Sequence, residues 1–213
     1  MTVEQATYWL WVAWYASWCA AALWASRAAA RPAASLGQFH RMIATAGLVL
    51  LMGFASRPGG VGWPVARWSW LLPATRPMIA EPAWFQGVLF GVTFAGFGFC
   101  WWARLHMGRL WSGFTTVKAG HRIVDTGPFA IVRHPIYAGV MLAAIAMALI
   151  KFSPLAFVGA ALFVFGFSIT ARLEERFLRE QLGPADYDAY ARRVPMLVPG
   201  LGRRPSIVDP PRA

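Results

Sequence analysis

Between Trp84 and Ala103 the chain runs for twenty residues without one charged side chain. A bilayer's hydrocarbon core is about 30 Å thick, and roughly twenty residues of helix cross it. Four other apolar runs accompany this one: Tyr8 to Ala25, Met42 to Ala55, Ile136 to Ile150 and Pro154 to Thr170. The pattern predicts an all-α, polytopic integral membrane protein of about five transmembrane helices. Composition agrees, because only 14% of the 213 residues are charged, where a soluble domain carries about 25%. A soluble α/β protein can also be apolar, but its charges would not be gathered between long apolar runs. Twelve Trp, fifteen Phe and five Tyr suit a chain that meets membrane–water boundaries.

The ends of the runs are marked. Arg27, Arg31 and Pro32 close the first. The second is short unless His40 and Arg41 lie at the interface. Residues 57–83 form a connection rich in Pro, Gly, Trp and Arg, in which Trp63 to Leu72 reads either as an interfacial segment or as irregular loop. Gly87 and Gly91 make a GxxxG pair that permits close helix approach. Residues 136–171 read as a helical hairpin with its tip at Lys151-Phe152-Ser153-Pro154. Its first arm, at 1.5 Å per residue, is only about 22 Å long, so it is either little tilted or ends at a polar cavity. The second arm is expected to continue through Arg172 to Leu182 and to stop at Gly183-Pro184. A short surface helix follows over Asp186 to Val194. The chain thus divides into three N-terminal spans (1–103), a core with the hairpin and two amphipathic helices (104–199), and a flexible basic tail (200–213). Met1 to Thr7 carry Glu4 but no Lys or Arg, so the first run does not read as a cleaved leader. Cys19 and Cys100 both lie in apolar runs and read as small buried hydrophobes.

The formal net charge is +11, yet no basic run or recognition-helix pattern points to nucleic acid. Attraction to anionic lipid headgroups accounts for it. With five spans and the N-terminus outside, sixteen of the twenty Lys and Arg residues fall on one side. The positive-inside rule makes that side cytoplasmic. It holds both large polar stretches, 104–135 and 172–213, and a bacterial inner membrane is the expected location. Membrane lipids are the expected surroundings, and the oligomeric state is left open.

Two segments at that face hold most of the unusual polar residues: HRIVDTGPFAIVRHPIYAG (His121 to Gly139) and RLEERFLREQLGPADYDAY (Arg172 to Tyr190). Pro135 suits a first helical turn, and the N–H groups there, with Arg133 beside them, could receive an anion. Gly139 would let either a ligand or another helix come close. Glu175 with Arg179, and Arg176 with Glu180, are i,i+4 pairs that support an exposed helix. Arg172 and Glu174 lie nearer the membrane, where ionisable groups are costly unless paired or functional. Blander readings exist for each: a snorkelling Arg133, a structural His134, a solvated face for Glu174 and Glu175, interface anchoring for Tyr187 and Tyr190, and boundary positions for His40 and His106. No HExxH, Walker loop, GxSxG or CxxC occurs, and no metal site is suggested.

GPFAIVRHPIYAG, followed some thirty-five residues later by EERFLREQLGPADYDAYARRVP, resembles the isoprenylcysteine carboxyl methyltransferase family. Related membrane enzymes methylate phospholipid amines and methanethiol. The resemblance covers residues 104–199, with the lead-in LHMGRLWSG, and reaches residues 1–100 only as a pattern of spans. Phe129 departs from it, since a Tyr is frequent there. The resemblance implies S-adenosyl-L-methionine held at a cytoplasmic pocket by His121, Gly127, Pro128, His134, Pro135, Tyr137 and Gly139, with Glu175, Tyr187 and Tyr190 assisting. It implies Arg133, Glu174 and Glu175 as catalytic residues, where the methyl acceptor meets the cofactor. The expected acceptor is a small lipophilic or lipid-linked carboxylate, amine or thiol. RHP-x-Y alone also occurs in sterol reductases, so an NADPH-dependent membrane reductase remains an alternative, as does a non-catalytic membrane scaffold.

Overall fold

The structure, a computed structural model, describes residues 1–23, 34–53, 77–108 and 123–201. His121, the interfacial segment at Trp63 to Leu72 and the basic tail from Gly202 on lie outside these. The described residues form seven helices and no strand: α1 (Val3–Ala22), α2 (Ala34–Met52), α3 (Ala83–Met107), α4 (Pro128–Ile131), α5 (Pro135–Lys151), α6 (Pro154–Leu182) and α7 (Pro184–Arg193). α3 and α6 are long and apolar enough to cross a membrane, while α5 and the Phe39–Met52 part of α2 are shorter apolar helices. In position, α1, α2, α3, α5 and α6 match the five apolar runs.

Several boundaries move outward. α1 begins five residues before Tyr8 because Thr2 caps it: Gln5 N–H donates to Thr2 Oγ1 at 3.2 Å, and Thr2 N–H to Gln5 Oε1 at 2.9 Å. This reciprocal capping box satisfies two of the first-turn donors. α3 runs past Ala103 to Met107, where Gly108 turns it with φ 53°. α6 stops at Gly183 (φ 99°), and Pro184 opens α7. The short α4 had no counterpart among the expected helices.

Packing brings α2 onto α6 and α3 onto α5, and these are the broadest contacts. Backbones touch at both. A Cβ at Gly96 would meet the Gly139 carbonyl, and one at Gly139 would meet the Gly96 carbonyl and Cys100 Sγ. The Cys100 thiol donates to the Ile136 carbonyl at 3.3 Å. Of the two partners Gly139 could have admitted, the structure supplies the helix. Among the described residues, nothing lies within 4 Å of a Cβ at either Gly87 or Gly91 of the GxxxG pair. Trp11 and Trp14 of α1 point inward rather than to a boundary. Trp14 stacks on Phe97 at 4.6 Å, and Trp11 meets Phe97 edge-on at 4.9 Å.

Two cations near helix ends are buried. Lys151 is 2% exposed and donates to the Leu51 carbonyl at 2.7 Å, at the end of α2. Arg104 donates to Gly108 O at 3.1 Å and to Ala21 O at 3.3 Å, at the end of α1. Each sits where a helix C-terminus carries partial negative charge. Together they tie the first two helices to the other three at opposite ends of the bundle. His40 is likewise buried.

Candidate active site

The end of α3, the start of α5 and the outer part of α6 come together at one end of the bundle. Two X-Pro steps shape the ground there. Gly127, with φ 59°, precedes Pro128 at the start of α4, and His134 precedes Pro135 at the start of α5. Proline disfavours helical geometry in the residue before it and is tolerated in the first turn. The chain is therefore extended at Val132 to His134 between two helices. There it is paired: Arg133 N–H donates to Pro195 O at 2.9 Å and His134 N–H to Met196 O at 3.1 Å.

Five side chains then converge. Arg133 Nε donates to Glu175 Oε1 at 2.6 Å, and the two side chains are 11% and 19% exposed. Arg133 Nη1 donates to Ala191 O at 2.9 Å and Val194 O at 2.5 Å, at the end of α7. His134 Nε2 lies 3.3 Å from the same Glu175 oxygen, and its Nδ1 is 3.8 Å from Glu174 Oε2. The Tyr137 hydroxyl donates to Glu174 Oε2 at 2.8 Å. The rings of His134 and Tyr137 stack with planes 6° apart, and Tyr137 also packs on Phe167 of α6. Burial opposes ionisation of Glu175, but hydrogen bonds from His134 and Arg133, and their charges, outweigh it. The carboxyl is held below the ordinary glutamate range.

This geometry corrects two local readings. Glu175 pairs with Arg133 and not with Arg179, whose partner is Asp188 of α7 at 2.6 Å. Arg133 spends Nε and Nη1 inside the protein, so it is neither a snorkelling arginine nor chiefly a companion to the α5 N-terminus. Its guanidinium is the rivet between α5, α6 and α7, and at α7 it meets the negative end of the helix.

Tyr187 and Tyr190 are each 5% exposed, packed with Val194 and against Ile123, Leu178 and Ala191. They are interior residues rather than interface anchors. The Tyr190 hydroxyl donates to the Phe129 carbonyl at 2.8 Å. Burial pushes both phenols well above their usual range. Pro128 and Pro135 are fully buried, and Gly139 faces α3. Of the residues expected to form the site, the structure thus gathers Arg133, His134, Tyr137, Glu174 and Glu175 in direct contact. Gly127, Pro128, Pro135, Gly139, Tyr187 and Tyr190 lie outside that set of direct contacts.

Residues 89–180 match the model of the Isoprenylcysteine carboxyl methyltransferase (ICMT) family. That stretch of the chain is similar to the family. No curated protein matches the chain. The ICMT segment opens at Leu89 in α3 and closes at Glu180 in α6, so it contains all five contacting side chains. It ends before α7, which supplies Tyr187, Tyr190 and the carbonyls on Arg133. These methyltransferases are membrane proteins, in keeping with the apolar helices α3 and α6.

Proposed function

We propose that the protein is an S-adenosyl-L-methionine-dependent membrane methyltransferase acting on a small lipophilic carboxylate, amine or thiol. In this reading α1, α2, α3, α5 and α6 all cross the bilayer, the N-terminus lies outside, and the site faces the cytoplasm. The observation that carries it is the meeting of Arg133, His134 and Tyr137 on the paired carboxylates Glu174 and Glu175, inside the ICMT segment.

The residues fit the cofactor chemically. S-Adenosyl-L-methionine has an ammonium and a sulfonium, and carboxylates at a partly buried site attract both. When bound it supplies a methyl group on sulfur for in-line displacement. The protein's part is to align the acceptor and to keep its carboxylates charged. Arg133 holds Glu175 ionised and fixed. Glu174 accepts from the neutral Tyr137 hydroxyl, so it keeps its capacity to bind a cation or take a proton. A carboxylate acceptor arrives already ionised and needs no base. An amine or thiol gives up a proton, and Glu174 stands where it could receive it.

Calorimetric titration of the purified protein in detergent tests the reading. Binding of S-adenosyl-L-methionine, weakened by Glu175→Ala, is expected. Absence of binding by the parent protein, or binding of NADPH in its place, overturns it.

A further inference from the structure

His106 lies in the last turn of α3 and takes no part in the cluster around Glu175. Its Nε2 is 2.9 Å from Thr126 Oγ1. The imidazole also fills the space beside Gly127: a Cβ there would sit 2.7 Å from His106 Cε1 and 2.8 Å from Nδ1. Gly127 has φ 59° and ψ −132°, a conformation that glycine adopts without strain and L side chains do not. The same ring lies 6.4 Å from that of Phe129. Phe129 in turn is buried, and its carbonyl accepts the Tyr190 hydroxyl. One side chain at the end of an apolar helix therefore braces the turn from which α4, the extended 132–134 step and α5 all follow.

We infer that His106 is a positioning residue that locks the Gly127–Pro128 turn against α3 and so sets the cofactor affinity of the site. The clause on affinity rests on the methyltransferase reading; the clause on position does not. Among the described residues, two neighbouring charged groups make contacts of a different kind. Arg104, two residues earlier, donates to Gly108 O and Ala21 O. The Asp125–Arg193 pair on the other side is at the surface, with side chains 39% and 65% exposed, where an ion pair contributes little. The His106–Thr126 hydrogen bond is exposed as well, and what His106 adds is the ring packed against Gly127.

Three variants test the inference: His106→Ala, Thr126→Val, which removes only the hydroxyl, and Gly127→Ala, whose Cβ competes with the ring. Amide hydrogen exchange over residues 128–134 reads position. Titration with S-adenosyl-L-methionine reads affinity, and His106→Gln, which can still reach Thr126, serves as rescue. Faster exchange is expected in all three variants. An affinity loss of about fivefold, the worth of one net hydrogen bond, is expected for His106→Ala and Thr126→Val, more for Gly127→Ala, and recovery in His106→Gln. Exchange unchanged in His106→Ala and Thr126→Val overturns the inference. Faster exchange with the parent's affinity retained overturns the affinity clause. A parent protein that binds no S-adenosyl-L-methionine overturns the methyltransferase reading and the affinity clause with it, while exchange still decides the position of the turn.

Discussion

Arg133 and Glu175 are 42 residues apart in sequence and 2.6 Å apart in space, and their contact joins the start of α5 to the outer part of α6. The same guanidinium reaches the carbonyls of Ala191 and Val194, so a single side chain holds three helices. Removing one partner of a largely buried pair leaves the other uncompensated, at a cost of about 3–5 kcal/mol. Arg133→Ala is therefore expected to lower the melting temperature in detergent, with amides of 184–196 losing exchange protection first. Arg133→Lys should recover little, since one ammonium cannot serve Glu175 and two carbonyls in the same planar fork. Uniform exchange across the bundle in Arg133→Ala would show that the contact does not hold α7.

The depressed pKa of Glu175 has a definite sign. A carboxyl that ionises more readily folded than unfolded adds stability above its unfolded pKa and loses it as pH falls through the folded one. Burial works against this, but His134 and Arg133 prevail. The stability gap between the parent and Glu175→Gln should thus stay constant from neutral pH down to the ordinary value of 4.5 and narrow only below it. Thermal melts between pH 7 and pH 3.5 measure it. A gap that widens on acidification would contradict the assignment of Glu175 as the ionised partner.

Tyr137 offers a cleaner probe of Glu174. Its hydroxyl donates at 2.8 Å, and its ring stays stacked on His134 and packed on Phe167 when the oxygen is removed. A hydrogen bond to a charged group is worth about 1.5–3 kcal/mol. Tyr137→Phe should then slow methyl transfer by about tenfold or more if that bond matters mainly in the transition state. Single-turnover assays with labelled methyl donor give the rate, and turnover within twofold of the parent would separate the Tyr137–Glu174 pair from the chemistry.

What the sequence disclosed follows from the range of the forces involved. Pro135 at a helix start and Gly183-Pro184 at a stop were legible because proline and glycine act on their own backbone. The Thr2–Gln5 capping box was equally local, but the apolar run that draws the eye begins only at Tyr8. Lys151 was legible as part of the hairpin tip, where α5 ends and α6 soon begins, but its acceptor, Leu51 O, is 100 residues away and was not. Arg133 likewise was recognised as important, while its partners on α6 and α7 could be seen only once the helices were packed. His106 left no signal beyond being a histidine near a helix end.

Helix spacing gives the last prediction, because the glycines of α3 are not equivalent. At Gly139 of α5 an added methyl would be driven into the Gly96 carbonyl and the Cys100 sulfur, whereas at Gly87 it meets nothing within 4 Å among the described residues. Overpacking of this kind costs about 1–3 kcal/mol. Alanine in place of an unconstrained helical glycine gains up to about 1 kcal/mol. Gly139→Ala should therefore melt below the parent and Gly87→Ala at or above it. The harm should reach the site as well, since Gly139 lies one turn beyond Pro135 and any widening between α3 and α5 shifts His134 and Tyr137 relative to Glu174 and Glu175. Gly96→Ala, pressing on the same contact from the other helix, should match Gly139→Ala in both melting temperature and S-adenosyl-L-methionine binding. If Gly139→Ala loses binding while Gly96→Ala keeps it, Gly139 touches the ligand itself and helix spacing is not the cause.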